Sequence, residues 1–307
     1  MKTAIILLNF NSYQDTFECV ESILNSNETN YQVYIVDNAS QDDSFSRLKK
    51  EFQEDKRISF LFSKENLGFS GGCNVGIKEA LKREYDYVLL LNNDTIVTDS
   101  FLSEMLSVAK KDTKVGIVGG KTLFNDDRKS IWDAGGYICE KSYRGIRRRE
   151  NHPDINNVSE VGFVTCCLAL VKTEVFKKIG LLPEAYFFGT EEWEFSLRAQ
   201  RAGIKLMYTP KAIIYHKVGR SHDHTSAKML YNTYRNRILF VKRNFSKSTY
   251  YSFMYKFLGL KLVQKLLNKG QLKPFTFNQA LFILKETSKD SKRYGQISKS
   301  HWDKFKK

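Results

Sequence analysis

The 307-residue chain lacks the marks of several simple protein classes. Nowhere does it carry the ~18–20 consecutive apolar residues that span a bilayer, so no membrane-crossing helix is expected. Its cysteines (Cys19, Cys73, Cys139, Cys166, Cys167) are odd in number and form no CxxC pair, which argues for reduced thiols in a cytosolic protein rather than a disulfide framework. The first apolar run, Ala4 to Leu8, stops at Asn9; it is too short for the core of a secretory signal and reads as a buried strand. There is no internal repeat and no low-complexity segment. Acids are nearly missing from the end: residues 226–307 hold 3 Asp+Glu against 19 Lys+Arg, whereas the first 225 hold 31 against 30. The net charge of +15 therefore belongs to the tail, and a boundary is expected near Ser226. A neutral body with a basic tail points to an anionic surface partner. Nucleic acid is not expected, since no aromatic-basic RNA-binding pattern is present.

What is present is enough apolar sequence for a core without staples. Strand-like and helix-like segments alternate: a strand at Ala4–Leu8, a helix over Ser12–Asn25, a strand at Val33–Val36, a helix over Ser44–Phe52, a strand at Ile58–Phe62, a helix over Asn74–Leu81, a strand at Tyr87–Leu91 and a helix over Ser100–Lys111 capped by Thr98 or Asp99. Such repeats with short loops predict an α/β fold, a mainly parallel twisted sheet with helices on both faces. A strand at Val115–Gly119 follows, then a polar, irregular insert over Phe124–Asn157 carrying Arg144, Arg147, Arg148 and Arg149. Regular structure resumes with a strand in Val161–Val171, helices over Thr173–Ile179 and Glu191–Ala202, and short strands at Leu206–Tyr208 and Ile213–Tyr215.

Four separate positions stand where strands or turns deliver polar groups to one sheet edge, the place where open α/β folds bind ligands. Asp94, after Tyr87–Leu91 and Asn92-Asn93, can coordinate a hard ion such as Mg2+ or Mn2+; equally, Asn-Asn-Asp-Thr is good turn chemistry. Asp37 closes the second strand, where an acid can bond ribose hydroxyls or cap the helix at Ser44. A nicotinamide oxidoreductase would also place an acid there, but the first turn, Asn9-Phe10-Asn11-Ser12, has no glycine to admit a pyrophosphate. Glycines appear instead in Asn66-Leu67-Gly68-Phe69-Ser70-Gly71-Gly72, ahead of the third expected helix, as a nucleotide cradle or a tight turn. Glu191-Glu192-Trp193-Glu194 is the densest acid cluster; crowding suits Glu192 to act as a base, and Glu194 pairs with Arg198 one turn on. His216 ends the last strand as a candidate nitrogen ligand, with His222-Asp223-His224 as a competitor.

Taken in order, Asn9-Phe10-Asn11-Ser12, Val36-Asp37-Asn38-Ala39-Ser40, Glu65 to Gly72, Leu91-Asn92-Asn93-Asp94, Phe187 to Arg198, His216 and Tyr234-Arg235-Asn236-Arg237 resemble family 2 glycosyltransferases, the bacterial rhamnosyltransferase-like branch above all. The similarity runs from about residue 3 to 243. It implies a GT-A fold with a catalytic domain over 1–225, divided into a nucleotide-sugar half (1–120) and an acceptor half (121–225), and a basic helical extension over 226–307. On the matching positions it implies donor contacts from Asn9, Asn11, Asp37, Asn66, Gly71, Asn93, Asp94 and Arg235, acceptor contacts from Trp132, Glu191 and Trp193, Glu192 as general base, and Asp94 with His216 on Mn2+ or Mg2+. Asn92 stands at the first position of the metal-binding acid motif, and Cys166 stands where a Gly is usual. The activity implied is inverting transfer of a sugar from a dTDP- or UDP-linked donor to a glycan or lipid-linked glycan acceptor in cell-envelope synthesis. A non-catalytic nucleotide- or glycan-binding scaffold is the alternative. The tail, with Tyr251, Met254, Phe257, Leu258, Leu262 and Val263 among Lys256, Lys261 and Lys265, fits docking of a cytoplasmic enzyme on the anionic inner face of the membrane, or packing on the catalytic body.

Overall fold

The computed structural model describes residues 2–218 and 227–266. Its centre is four parallel strands, β1 (Thr3–Asn9), β2 (Tyr31–Asp37), β3 (Ile58–Phe62) and β4 (Tyr87–Leu91), in the order β3-β2-β1-β4. Successive side chains on a strand point to opposite faces. Ala4 and Ile6 accordingly join one core with Tyr34, Val36, Val88 and Leu90, while Ile5 and Leu7 join another with Val33, Ile35, Leu89 and Leu91. Both faces of β1, β2 and β4 are buried, which is why these strands read as apolar runs, while β3 at the sheet edge is only partly covered. Each such side chain contributes about 1.5–3 kcal/mol by leaving water, so these strands anchor the fold.

Helices cover both faces. α1 (Tyr13–Leu24), α2 (Ser44–Phe52) and α4 (Phe101–Lys111) close one core, and α3 (Gly68–Lys82), α5 (Thr173–Ile179) and α6 (Glu191–Arg201) close the other. α1 buries Thr16, Cys19, Val20 and Ile23, the spacing of one helical face. α4 starts after Ser100, and neither Thr98 nor Asp99 is its N-cap.

Past β4 the direction reverses twice. β11 (Leu168–Lys172) is antiparallel to both β4 and β6 (Val115–Phe124), and β6 is parallel to β12 (Lys205–His216). β12 therefore runs the same way as β4 and delivers His216 to the edge where β4 ends. β5 (Thr95–Val97) turns back after Asp94 and pairs with that end, His216 opposite Thr95. The short β10 (Ser159–Glu160) pairs with β12 farther back.

Several expectations are corrected. The two short strands at Leu206–Tyr208 and Ile213–Tyr215 are one strand, β12, interrupted by a register shift between Tyr208 and Ile213 where Pro210 lacks a ladder donor. The insert over 124–157 is not irregular throughout: β7 (Ile131–Asp133) pairs with β6, and β8 (Gly136–Cys139) with β9 (Arg144–Arg147) forms a hairpin. In Val161–Val171 only the part from Leu168 is strand, so Cys166 lies in the turn before it. α3 starts at Gly68, not Asn74.

The chain divides into two compact units. One is Met1–Pro183 with Glu191–Val218; the other is Glu184–Thr190 with Gly219–Lys307, and contains α7 (Ala227–Asn244) and α8 (Lys247–Leu266). Among the described residues no helix is long and apolar enough to cross a membrane. His222, Asp223 and His224, residues 267–307, and the side chains of Leu258, Leu262 and Val263 lie outside the described residues.

Candidate active site

At the carboxyl ends of β1 and β2, Asn9 faces Asp37 in register. Asn9 Nδ2 donates to Asp37 Oδ1 (2.9 Å) and Ser44 Oγ (3.0 Å), and Ser40 Oγ donates to Asp37 Oδ1 (2.6 Å). Asn9 is wholly buried. It braces Asp37 at the strand end. The two turns are tied together, Asn11 N donating to Ser40 Oγ and Gln41 N to Asn11 Oδ1 (2.7 Å). Asn11 (φ 51°) and Ala39 (φ 63°) are left-handed, a conformation that costs L residues roughly 1–2 kcal/mol and persists only where surroundings enforce it. Asn38 holds the next loop: its Nδ2 donates to Asn66 Oδ1 (3.0 Å) and Gly68 O (3.1 Å).

Gly71 and Gly72 do not form that loop; they lie inside α3. A Cβ at Gly72 would stand 2.3 Å from Leu8 Cδ1, and one at Gly76 2.7 Å from Ile6 Cγ2. These glycines let α3 lie close on β1. A Cβ at Gly71 would meet Leu67 of its own helix at 2.7 Å.

Asp94 and His216 meet at the end of β4. His216 Nε2 is 3.0 Å from Asp94 Oδ1 and 3.4 Å from Asn92 Nδ2. Both Asp94 Oδ1 and His216 Nδ1 are buried without a hydrogen bond from any described residue. Burial alone would raise the Asp94 carboxyl, but His216, and more weakly Lys217, outweigh it and hold it below the usual carboxylate range. Asn93 Nδ2 donates to Thr16 Oγ1 (2.8 Å), which lies 2.9 Å from Asn9 Oδ1, so the β4 turn joins the β1–β2 network. Lys217 completes this edge: its N–H donates to Asp94 O (2.9 Å), and its buried ammonium sits 3.1 Å from Asp15 Oδ1 and against Glu18 Oε2. Thr16 and Lys217 went unread in the sequence, where a Thr in a helix and a Lys after a strand carry no signal.

The Asp94–His216 pair fits a hard divalent ion. Two ligands on one edge of an octahedron with bonds of about 2.1 Å stand about 3 Å apart, and here an acid oxygen and an imidazole nitrogen do so, the oxygen taking no hydrogen bond from any described residue. Among the described residues no group of three or more His, Cys, Asp or Glu is arranged around an ion. The remaining ligands would be phosphate oxygens and water, as is usual for Mg2+ at phosphate sites.

The insert and α6 line the neighbouring region. Trp132 of β7 meets His216 edge to face at 4.4 Å between ring centres. Trp193 of α6 lies against β9: a Cβ at Gly145 would be 2.5 Å from its indole nitrogen. Glu191 is buried and Glu192 half-buried at the start of α6. Burial drives the Cys166 and Cys167 thiols well above their ordinary values; Glu192 and Glu191 push Cys166 further, and Asp94 and Asp133 push Cys167. Cys166 thus feels the acids of α6, and its neighbour Cys167 those of the β4 turn and of β7.

In the second unit Arg235 is buried, and its Nη1 donates to Ala185 O (3.1 Å) and Asn236 Oδ1 (3.0 Å). These bonds brace the 184–190 segment. Asn232 and Asn236 donate to Phe188 O, and Asn236 also to Gly189 O (2.7 Å). That segment holds Phe187 and Thr190 at positive φ, unusual for a β-branched residue such as Thr190.

A family model described as glycosyl transferase family 2 matches residues 4–180. Over 251 residues the chain is 27% identical to the low-salt glycan biosynthesis hexosyltransferase Agl10 of Haloferax volcanii, across 80% of this chain and 77% of that protein. It is 24% identical over 214 residues to the poly-beta-1,6-N-acetyl-D-glucosamine synthase of Staphylococcus epidermidis, covering 69% of this chain and about half (49%) of that relative's length. Among solved structures it is similar to GalNAc-T7 with UDP, GalNAc and Mn2+ (TM-score 0.67, 14% identity, 96% of this chain and 58% of that one). It is also similar to the mannosyltransferase PcManGT from Pyrobaculum calidifontis in complex with GDP-Man and Mn2+ (TM-score 0.60, 13% identity, 99% and 83%). At these identities the likeness shows the fold, which is of the GT-A type.

Proposed function

Because the chain belongs to glycosyl transferase family 2, we propose that it transfers a hexosyl unit, rhamnose among the candidates, from a nucleoside-diphosphate donor to a glycan or lipid-linked glycan acceptor of the cell envelope. The observation that carries this reading is the Asp94–His216 pair, two metal-competent groups 3.0 Å apart at the carboxyl edge of the sheet. Asp37, braced by Asn9 and Ser40, takes the nucleoside, with Asn11, Asn66 and Asn93 at its margins. Asp94 and His216 hold Mn2+ or Mg2+, which when bound supplies Lewis-acid neutralisation of the departing diphosphate.

Glu192 accepts the proton of the acceptor hydroxyl as that oxygen attacks the anomeric carbon, in a single displacement that inverts its configuration. Trp132, Glu191 and Trp193 position the acceptor. The two aromatic residues flank the β8–β9 hairpin, with Trp193 against Gly145 and Trp132 against His216. The basic tail supports location at the inner face of the cytoplasmic membrane, as does α8, which exposes Tyr251 (66%) and Tyr255 (82%), rings suited to an interface. Glu192→Gln tests the chemistry. Turnover is expected to fall on the order of 10²- to 10⁴-fold with donor binding and folding retained; unchanged turnover refutes Glu192 as base, and a non-catalytic scaffold would show no turnover in the wild type.

A further inference from the structure

Arg147 is held in place without a side-chain hydrogen bond to any described residue. It is the last residue of β9, with its side chain 33% exposed. The guanidinium carbon lies 4.2 Å from the centre of the Trp132 ring, and Nε lies 3.4 Å from Asp133 Oδ1. Neither contact is a hydrogen bond: Asp133 Oδ1 is buried with none, and Arg147 donates to no described residue. Asp133 itself is fixed from its other oxygen, which accepts from Gly135 N (3.1 Å) and Thr165 Oγ1 (3.0 Å). The fork is thus oriented by stacking and by a buried charge, while its donors remain available.

The hairpin puts this fork between the two chemical groups of the site. Gly145 and Arg147 are two apart on β9 and share a face. Gly145 lies against Trp193, next in sequence to Glu192, and Arg147 lies on Trp132, whose ring contacts His216. A planar cation with unused donors, carried on a rigid aromatic platform, is suited to bidentate recognition of an oxyanion. We infer that Arg147 binds a phosphate oxyanion of the substrates, either of the donor diphosphate or of a phosphate-linked acceptor. The inference rests on the transferase reading above.

The test is calorimetry on the full chain with Mn2+, comparing wild type, Arg147→Gln and Arg147→Lys. UDP, dTDP and UMP probe the donor side, and neutral phospholipid vesicles with or without polyprenyl phosphate probe the acceptor side. R147Q is expected to lose on the order of 10- to 100-fold in affinity for the diphosphates and less for UMP. R147K keeps a cation opposite Asp133, guarding against misfolding, and is expected to fall between. A loss confined to polyprenyl phosphate vesicles assigns the same oxyanion contact to the acceptor. Wild-type affinity of R147Q for every probe overturns the assignment and leaves the transferase reading standing. A wild type that binds none of the probes overturns both.

Discussion

Replacing Lys217 by Met removes a buried ammonium from between two acids of α1. Lys217 and Asp15 are 5% and 15% exposed, with Nζ 3.1 Å from Oδ1. At an effective dielectric of about 20, a charge pair at that distance gains roughly 5 kcal/mol before desolvation offsets much of it. Deleting one partner of such a pair typically costs about 3–5 kcal/mol, because the other is left charged in a poor solvent. Glu18 is 36% exposed and can turn to water, so the low end applies: about 3 kcal/mol. Urea unfolding followed by circular dichroism measures it, and a double-mutant cycle with Asp15→Asn isolates the pair. The consequence reaches the site, because the Lys217 backbone N–H donates to Asp94 O and follows His216. Nucleotide affinity should fall along with stability. A K217M protein within about 0.5 kcal/mol of wild type would refute the view that this ammonium closes β12 onto α1.

Two further outcomes follow from burial and charge. Burial raises the Asp133 carboxyl above its ordinary 3.8, only partly countered by Arg147. An acid whose folded pKa exceeds its unfolded one binds its proton more tightly when folded, so wild-type stability falls as pH rises from the unfolded value to the folded one, then levels. The stability of Asp133→Asn relative to wild type should rise across that window in urea titrations; a difference flat from about pH 4 to 7 contradicts it. Burial also pushes the Cys19 thiol up to about 12 and raises Cys73, Cys166 and Cys167, while hydrogen bonding with Ser142 lowers the half-buried Cys139. Iodoacetamide should therefore label one thiol rapidly in the native chain and all five after denaturation, counted by mass spectrometry; several rapid labels would contradict the packing around β11.

The alternation of apolar runs and amphipathic helices was enough to read β1 to β4 and their helices, because strands buried on both faces leave an unbroken apolar signal. Asp37, Asp94 and His216 were legible as strand-end polar groups for the same reason. What escaped has physical causes. β7, β8 and β9 are three or four residues long, too short for a period of two to register. β12 looked like two strands because Pro210 and the register shift interrupt its pattern. Gly71 and Gly72 read as loop because glycine weakens helices, yet Gly72 is there so that α3 can approach Leu8. The Lys217 contacts with Asp15 and Glu18 span about two hundred positions, a separation no local pattern encodes.

The proposed nucleotide site is metal-assisted and centred on Asp94 and His216. Calorimetric titration of UDP and dTDP, with and without Mn2+, into wild type and Asp94→Asn tests it most directly. One nucleoside diphosphate is expected to bind wild type in a Mn2+-dependent way, and the substitution is expected to abolish this dependence while the fold persists. Failure of wild type to bind either nucleotide with or without the ion, or metal-dependent binding that survives in Asp94→Asn, would contradict it.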